Sequence, residues 1–188
     1  MAEKDPALTG QARGPGVSWS ELMARDSRPA PDCLTRESYT YLGSGPLDAS
    51  RYTSEEFAKL ERERMWPHVW QYAAREEDLP DPGDFVIYEN VGRSWLVSRQ
   101  DDGSIKAMQN VCLHRGRKLR TEDGVADNFV CPFHGFAWGK DGSYQGNPCN
   151  WDFAHLADED MSLPEAEVGR WGGYIFLRER PGGPSLEE

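Results

Sequence analysis

No apolar run in this 188-residue chain is long enough to cross a bilayer, and the amino terminus, Met1-Ala2-Glu3-Lys4-Asp5, has no apolar core of the signal-peptide kind. The first thirty residues also lack a twin-arginine pair. These absences predict a cytoplasmic protein with no membrane partner. Positive charge is in the minority, 21 Lys and Arg against 32 Asp and Glu for a formal net charge of −11, and no basic stripe runs through the chain. Nucleic acid and anionic lipid surfaces are therefore excluded as partners on electrostatic grounds. Cysteine is scarce at four residues. Cys33 and Cys149 lie far apart in unrelated contexts, which predicts two free, small, semi-buried thiols rather than a disulfide framework. No internal repeat is present, and the length suits one domain with an extension.

What is there divides into two parts. Residues 1–48 are rich in Pro, Gly, Ser and charge, with breakers at Gly14-Pro15-Gly16, Arg28-Pro29-Ala30-Pro31 and Gly43-Ser44-Gly45-Pro46. An irregular extension is expected, with one short helix around Trp19 to Ala24. At Thr53-Ser54-Glu55-Glu56 a capping box headed by Thr53 opens a helix to about Met65, with Phe57 and Leu60 on one face and Pro67 ending the run. Trp66, Val69, Trp70 and Tyr72 then form an apolar surface expected to be buried. Beyond Pro80-Asp81-Pro82-Gly83 the hydrophobic period is two. Strands are predicted at Asp84 to Glu89, Ser94 to Arg99, Ile105 to Val111, Asn128 to Val130, Gly135 to Trp138, Ser143 to Gln145 and Tyr174 to Arg178. The fold class is all-β, an antiparallel sandwich or barrel spanning residues 49–180 with its core at about 70–178, and 181–188 reads as a linker-like tail.

The most informative residues are Cys112-Leu113-His114 and Cys131-Pro132-Phe133-His134, two short loops that each offer one thiolate and one imidazole. This donor set in this pattern predicts a Rieske [2Fe–2S] centre, with Cys112 and Cys131 on one iron and His114 and His134 on the other. A strand end would turn Cys112 and His114 to the same side, whereas Cys131 and His134 need a turn, so two hairpin tips would meet around the metal. Gly116 and Gly135 follow each histidine where backbone N–H groups must approach sulfur. A single Cys₂His₂ zinc site is the competing reading. Zinc sites usually present a C-x₂₋₄-C pair and an H-x₃₋₅-H pair, whereas here the ligand types are interleaved.

These loops, Cys112-Leu113-His114-Arg115-Gly116 and Cys131-Pro132-Phe133-His134-Gly135-Phe136-Ala137-Trp138, resemble those of the Rieske non-haem iron oxygenases, in the N-terminal part of their ring-hydroxylating α subunits. The resemblance takes in Arg51-Tyr52, Met65-Trp66-Pro67-His68-Val69-Trp70, Leu79-Pro80-Asp81-Pro82-Gly83-Asp84-Phe85 and Trp171-Gly172-Gly173-Tyr174-Ile175-Phe176. It implies a Rieske-type sandwich with a cluster-binding subdomain and one [2Fe–2S] cluster per chain. The respiratory branch resembles this one less, because it carries an extra cysteine in each loop and a serine and tyrosine where Phe136 and Trp138 stand. Fewer hydrogen bonds to the cluster imply a low potential, nearer roughly −150 mV than +300 mV.

The resemblance also implies partners. A reductase or ferredoxin would supply electrons, and the receiving site would be a mononuclear iron in a catalytic domain, absent from this chain, of the same or a neighbouring subunit in a possible homotrimer. Arg115, Arg117, Lys118 and Arg120 form a basic patch suited to docking, and the acidic surface elsewhere suits a basic partner. His68 reads as a packed histidine and His155 as a surface one. A stand-alone Rieske carrier and a zinc-stabilised interaction module remain the alternative functions.

Overall fold

The computed structural model describes residues 16–17, 19–30 and 45–187. It divides into two compact units, Met1–Ala49 and Ser50–Glu188. In the first, the described structure is the helix α1 (Trp19–Ala24), where the sequence places one.

The second unit opens on one helical turn, α2 (Ser50–Thr53), followed by α3 (Glu55–Arg64). The cap of α3 is Ser54 rather than Thr53: its hydroxyl accepts from the Phe57 N–H at 3.2 Å, because Thr53 is spent closing the preceding turn. No α3 residue is buried, and Leu60 is 43% exposed. Of the apolar residues that follow, Trp66 and Trp70 are half-buried while Val69 and Tyr72 stand exposed, which corrects the expectation that all four are covered.

Ten strands follow: β1 (Gln71–Arg75), β2 (Asp84–Asn90), β3 (Arg93–Arg99), β4 (Ile105–Gln109), β5 (Gly124–Val125), β6 (Asn128–Val130), β7 (Ala137–Gly139), β8 (Tyr144–Gly146), β9 (Glu165–Trp171) and β10 (Tyr174–Arg178). A seven-stranded antiparallel sheet in the order β1-β10-β9-β4-β3-β2-β5 curls into half a barrel, and a three-stranded sheet runs β6-β7-β8. The predicted all-β antiparallel architecture is what the chain adopts. Three strands escaped the sequence reading, for physical reasons. Gln71-Tyr72-Ala73-Ala74-Arg75 buries one polar residue and one alanine, Glu165-Ala166-Glu167-Val168-Gly169-Arg170-Trp171 buries one alanine, and β5 is two residues long.

Strand β3 is the wall shared by two cores. Trp95 and Val97 point into one with Leu79, Ile105, Ala107, Ile175 and Leu177, whereas Leu96 points into the other with Met108, Phe129, Phe136, Trp138 and Leu163. Alternation along one strand thus feeds both cores. Cys112 and Cys131 belong to the second, which lies at the small sheet. The segment after β10 is pinned: Trp70 Nε1 and Arg178 Nη1 both donate to the Pro184 carbonyl, at 3.1 and 2.8 Å. Arg178 is buried, lies over the Trp70 ring at 4.5 Å and holds Glu167 through Nε and Nη2.

Candidate metal centre

Both cysteine loops close in the same way. The Cys112 N–H donates to the Arg117 carbonyl at 2.7 Å and the Gly116 N–H to the Cys112 carbonyl at 2.8 Å. In the second loop the Cys131 N–H donates to Phe136 at 2.7 Å and the Gly135 N–H to Cys131 at 3.0 Å. Gly116 and Gly135 stand four residues after their cysteines at φ +75° and +72°, the left-handed region that glycine enters without cost. The expectation of an extended Cys112–His114 segment is therefore corrected. Both cysteines sit at the start of matching turns, and what differs is which residue of the turn carries the imidazole.

Only the second turn is a hairpin tip, closed by pairing of Val130 with Ala137 between β6 and β7. The first has no strand ladder behind it, because β4 ends at Gln109. Asn110 replaces the ladder. Its side chain is buried and makes four hydrogen bonds: Oδ1 accepts from the N–H groups of Leu119 and Arg120 at 3.0 Å each, and Nδ2 donates to Ser94 Oγ at 3.0 Å and to the Arg120 carbonyl at 2.8 Å. Arg120 then ties the first loop to the second, since its guanidinium donates to the carbonyls of Leu119, Val130 and Asn128 and lies over the Phe129 ring at 5.4 Å. The sequence reading missed both roles. The available signal was an asparagine at a strand end two positions before a ligand-type cysteine.

The four candidate residues come together in two layers. Cys112 and Cys131 are each 2% exposed, with their thiols in hydrogen-bonding reach of one another. His114 and His134 lie outside them, ring centroids 4.9 Å apart, His114 half-buried and His134 exposed. Backbone N–H groups point at the sulfurs, those of His114 and Arg115 at Cys112 and those of Phe133 and His134 at Cys131. Burial pushes the Cys112 thiol up from its ordinary value. At Cys131 burial acts in the same sense, but the Phe133 N–H, the Cys112 thiol, the His134 N–H and the Arg117 charge outweigh it and leave that thiol low. Two buried sulfurs with amide donors and two outer imidazoles are a donor set that fits a [2Fe–2S] centre ligated two and two. Among the described residues no three His, Cys, Asp or Glu side chains converge as one ion requires.

The surroundings are aromatic. Phe136 lies parallel to the His114 ring, centroids 4.6 Å apart at 11°, and Trp138 donates its indole N–H to the Met161 carbonyl at 2.7 Å. Neither residue offers a hydroxyl to sulfur. The basic patch is smaller than the sequence suggests: Arg120 is structural and Lys118 pairs with Glu89 at 2.6 Å, leaving Arg115 and Arg117 exposed beside the loop. His68 is exposed rather than packed, His155 is exposed as expected, and Cys149 is exposed rather than semi-buried. Cys33 lies outside the described residues. No described helix is long and apolar enough to cross a membrane.

A family model described as the Rieske [2Fe–2S] domain matches residues 69–157. The N,N-dimethyl phenylurea N-demethylase subunit alpha of Sphingobium sp. (strain YBL2) is 32% identical over 151 residues, 78% of this chain and 33% of that protein. The large oxygenase component of the naphthalene 1,2-dioxygenase system of Pseudomonas aeruginosa is 36% identical over 138 residues, 71% of this chain and 31% of that one. Among solved structures, a quaternary ammonium Rieske monooxygenase described for carnitine oxidation by gut microbiota and inter-subunit electron transfer superposes with TM-score 0.69 at 25% identity, covering 73% of this chain and 38% of its own. The chain thus spans about a third of the length of these curated relatives. Paired cysteine turns and these matches agree: the chain carries a Rieske [2Fe–2S] domain similar to those of the Rieske oxygenase α subunits, and its cofactor is one [2Fe–2S] cluster.

Proposed function

We propose that this chain is the electron-transfer domain of a ring-hydroxylating-type oxygenase, taking single electrons from a reductase or ferredoxin and passing them to a mononuclear iron site outside these residues. Cys112 and Cys131 hold one iron of the cluster and His114 and His134 the other. When bound, the cluster supplies reversible one-electron chemistry at a potential that imidazole ligation raises above that of an all-cysteine centre. The observation that carries the reading is the layering of buried thiols beneath outward imidazoles.

The chain's own residues perform three tasks in this scheme. Asn110, Gly116 and Gly135 hold the two turns so that amide N–H groups meet the sulfurs. Phe136, Trp138, Leu119 and Phe129 exclude water from the cysteine side. His134, with Arg115 and Arg117 beside it, presents the exposed edge at which a donor or the catalytic domain of the same or a neighbouring subunit docks. Inter-subunit electron transfer is a theme of the related monooxygenase, which supports a ring of subunits, with three as the proposed number. The relatives include a dioxygenase and an N-demethylase, so they leave the reaction class of the whole enzyme open. A cytoplasmic setting completes the proposal.

Anaerobic reconstitution with iron and sulfide is the test. Visible absorption, two irons and two inorganic sulfides per chain, and an EPR signal on reduction are expected. A colourless protein holding one zinc and no sulfide after that treatment supports a zinc-stabilised module instead and overturns the proposal.

A further inference from the structure

The two imidazoles of the centre are supported in different ways. His134 leans on Phe133, its own neighbour in sequence, with ring centroids 3.8 Å apart, and Phe133 is itself 55% exposed. His114 is enclosed. Phe136 covers one face, and the Phe153 ring stands edge-on at 5.9 Å and 82°, while Phe153 and Phe136 meet edge-to-face at 5.2 Å and 85°. The three rings close on each other as a corner rather than as separate pairs.

Phe153 reaches this corner from a remote segment that the structure holds firmly. It ends a short 3₁₀ turn, Asn150–Phe153. Before the turn, Asn147 Oδ1 accepts from the Cys149 N–H at 2.9 Å and Asn147 Nδ2 donates to the Tyr144 hydroxyl, while Pro148 lies against Gly135. After it, the Met161 carbonyl accepts the Trp138 indole N–H and the Leu163 N–H donates to Gly142 at 2.9 Å. Of the two aromatics on the turn, Trp151 is 72% exposed and Phe153 is turned inward against the core.

We infer that Phe153 is a positioning residue of the centre: its ring fixes the plane of the His114 imidazole and keeps water from that side of the histidine-ligated iron. The inference rests on the function proposed above. An imidazole torsion is intrinsically broad, so rings packed on two sides are what selects one orientation. The cover also sets the dielectric. An oxidised centre of two ferric ions, two sulfides and two thiolates is neutral, and its one-electron-reduced form carries one negative charge. Water admitted beside it stabilises the charged form, and the apolar ring opposes that.

The test compares the reconstituted full chain with Phe153→Ala, Phe153→Tyr and Trp151→Ala. Phe153→Ala is expected to retain the cluster, to show shifted EPR g-values and to have a higher midpoint potential, Phe153→Tyr to restore both, and Trp151→Ala to move neither. Unchanged g-values and midpoint in Phe153→Ala overturn the inference, as does an equal shift in Trp151→Ala. If Phe153→Ala fails to fold or to hold the cluster, Phe153→Leu, which keeps apolar volume and loses the ring, takes its place under the same criteria for g-values. A wild-type chain that takes up no cluster overturns the proposed function and this inference together, whereas a loaded wild type with an indifferent variant overturns this inference alone.

Discussion

The first and second cysteine turns share their closing hydrogen bonds and a left-handed glycine four residues after the cysteine, yet they are supported by different physics. The second is the tip of a β-hairpin, with ladder pairing behind it and an exposed histidine in front. The first depends on one buried asparagine side chain, and its histidine is packed into an aromatic corner. A similar turn geometry is thus reached once by secondary structure and once by a side-chain amide standing in for it.

The largest effect expected from breaking this symmetry lies in the four proposed ligands. Cys112→Ala or Cys131→Ala should abolish iron and sulfide retention in either turn, because the other cysteine among the described residues, Cys149, is exposed rather than buried with them. The histidines should differ. His134→Cys, at an exposed tip, should keep a cluster with an altered spectrum and a lower midpoint, while His114→Cys leaves a gap between Phe136 and Phe153 and should retain less iron after the same reconstitution. Equal iron content in the two variants would show that the aromatic corner does not matter. The wild-type midpoint should fall near roughly −150 mV, and a clearly positive value would contradict the reading of Phe136 and Trp138 as side chains without a donor for sulfur.

Next in size is Asn110→Ala, which strips partners from Leu119, Arg120 and Ser94 at once. Denaturant unfolding should show a loss of about 3–4 kcal/mol, and the first turn should lose protection from amide exchange before the second. A loss below about 1 kcal/mol would mean that the turn is held by something other than the amide. The glycines come third. Gly116→Ala meets no atom within 4 Å and should cost only the left-handed backbone, about 1–2 kcal/mol. At Gly135 an added Cβ would lie 2.9 Å from Pro148 Cγ, so Gly135→Ala should cost about 2–4 kcal/mol. Matching costs would place the strain in the backbone alone.

Legibility in the sequence follows the same division. Strands with large apolar residues between turn signals, such as Arg93–Arg99 with the run Trp95, Leu96 and Val97, are readable from the sequence, and so is the hairpin carrying Cys131. Strands β1 and β9 are not readable, since Ala74 and Ala166 bury too little to register as a period. The four candidate ligands were visible because thiol and imidazole are rare side chains in a repeated arrangement. The roles of Arg120 and Phe153 were hidden because each acts on residues brought near only by the fold, as when Arg120 reaches Asn128 and Val130 across the two loops, whereas Asn110 left the one faint signal of a strand-end asparagine before a ligand-type cysteine.

The last expected difference separates two basic residues of the first loop that composition treats alike. Arg120 spends its guanidinium on three carbonyls and the Phe129 ring, so Arg120→Gln should unfold at lower denaturant by about 2–3 kcal/mol and loosen the second turn along with the first. Lys118 pairs with Glu89, and both side chains are about half exposed, a setting in which water and salt screen the pair. Lys118→Gln should therefore leave unfolding and the cluster spectrum unchanged. If it instead destabilises as much as Arg120→Gln, the first turn is held by surface charge as well as by the buried amide, and its contrast with the hairpin turn is one of electrostatics more than of packing.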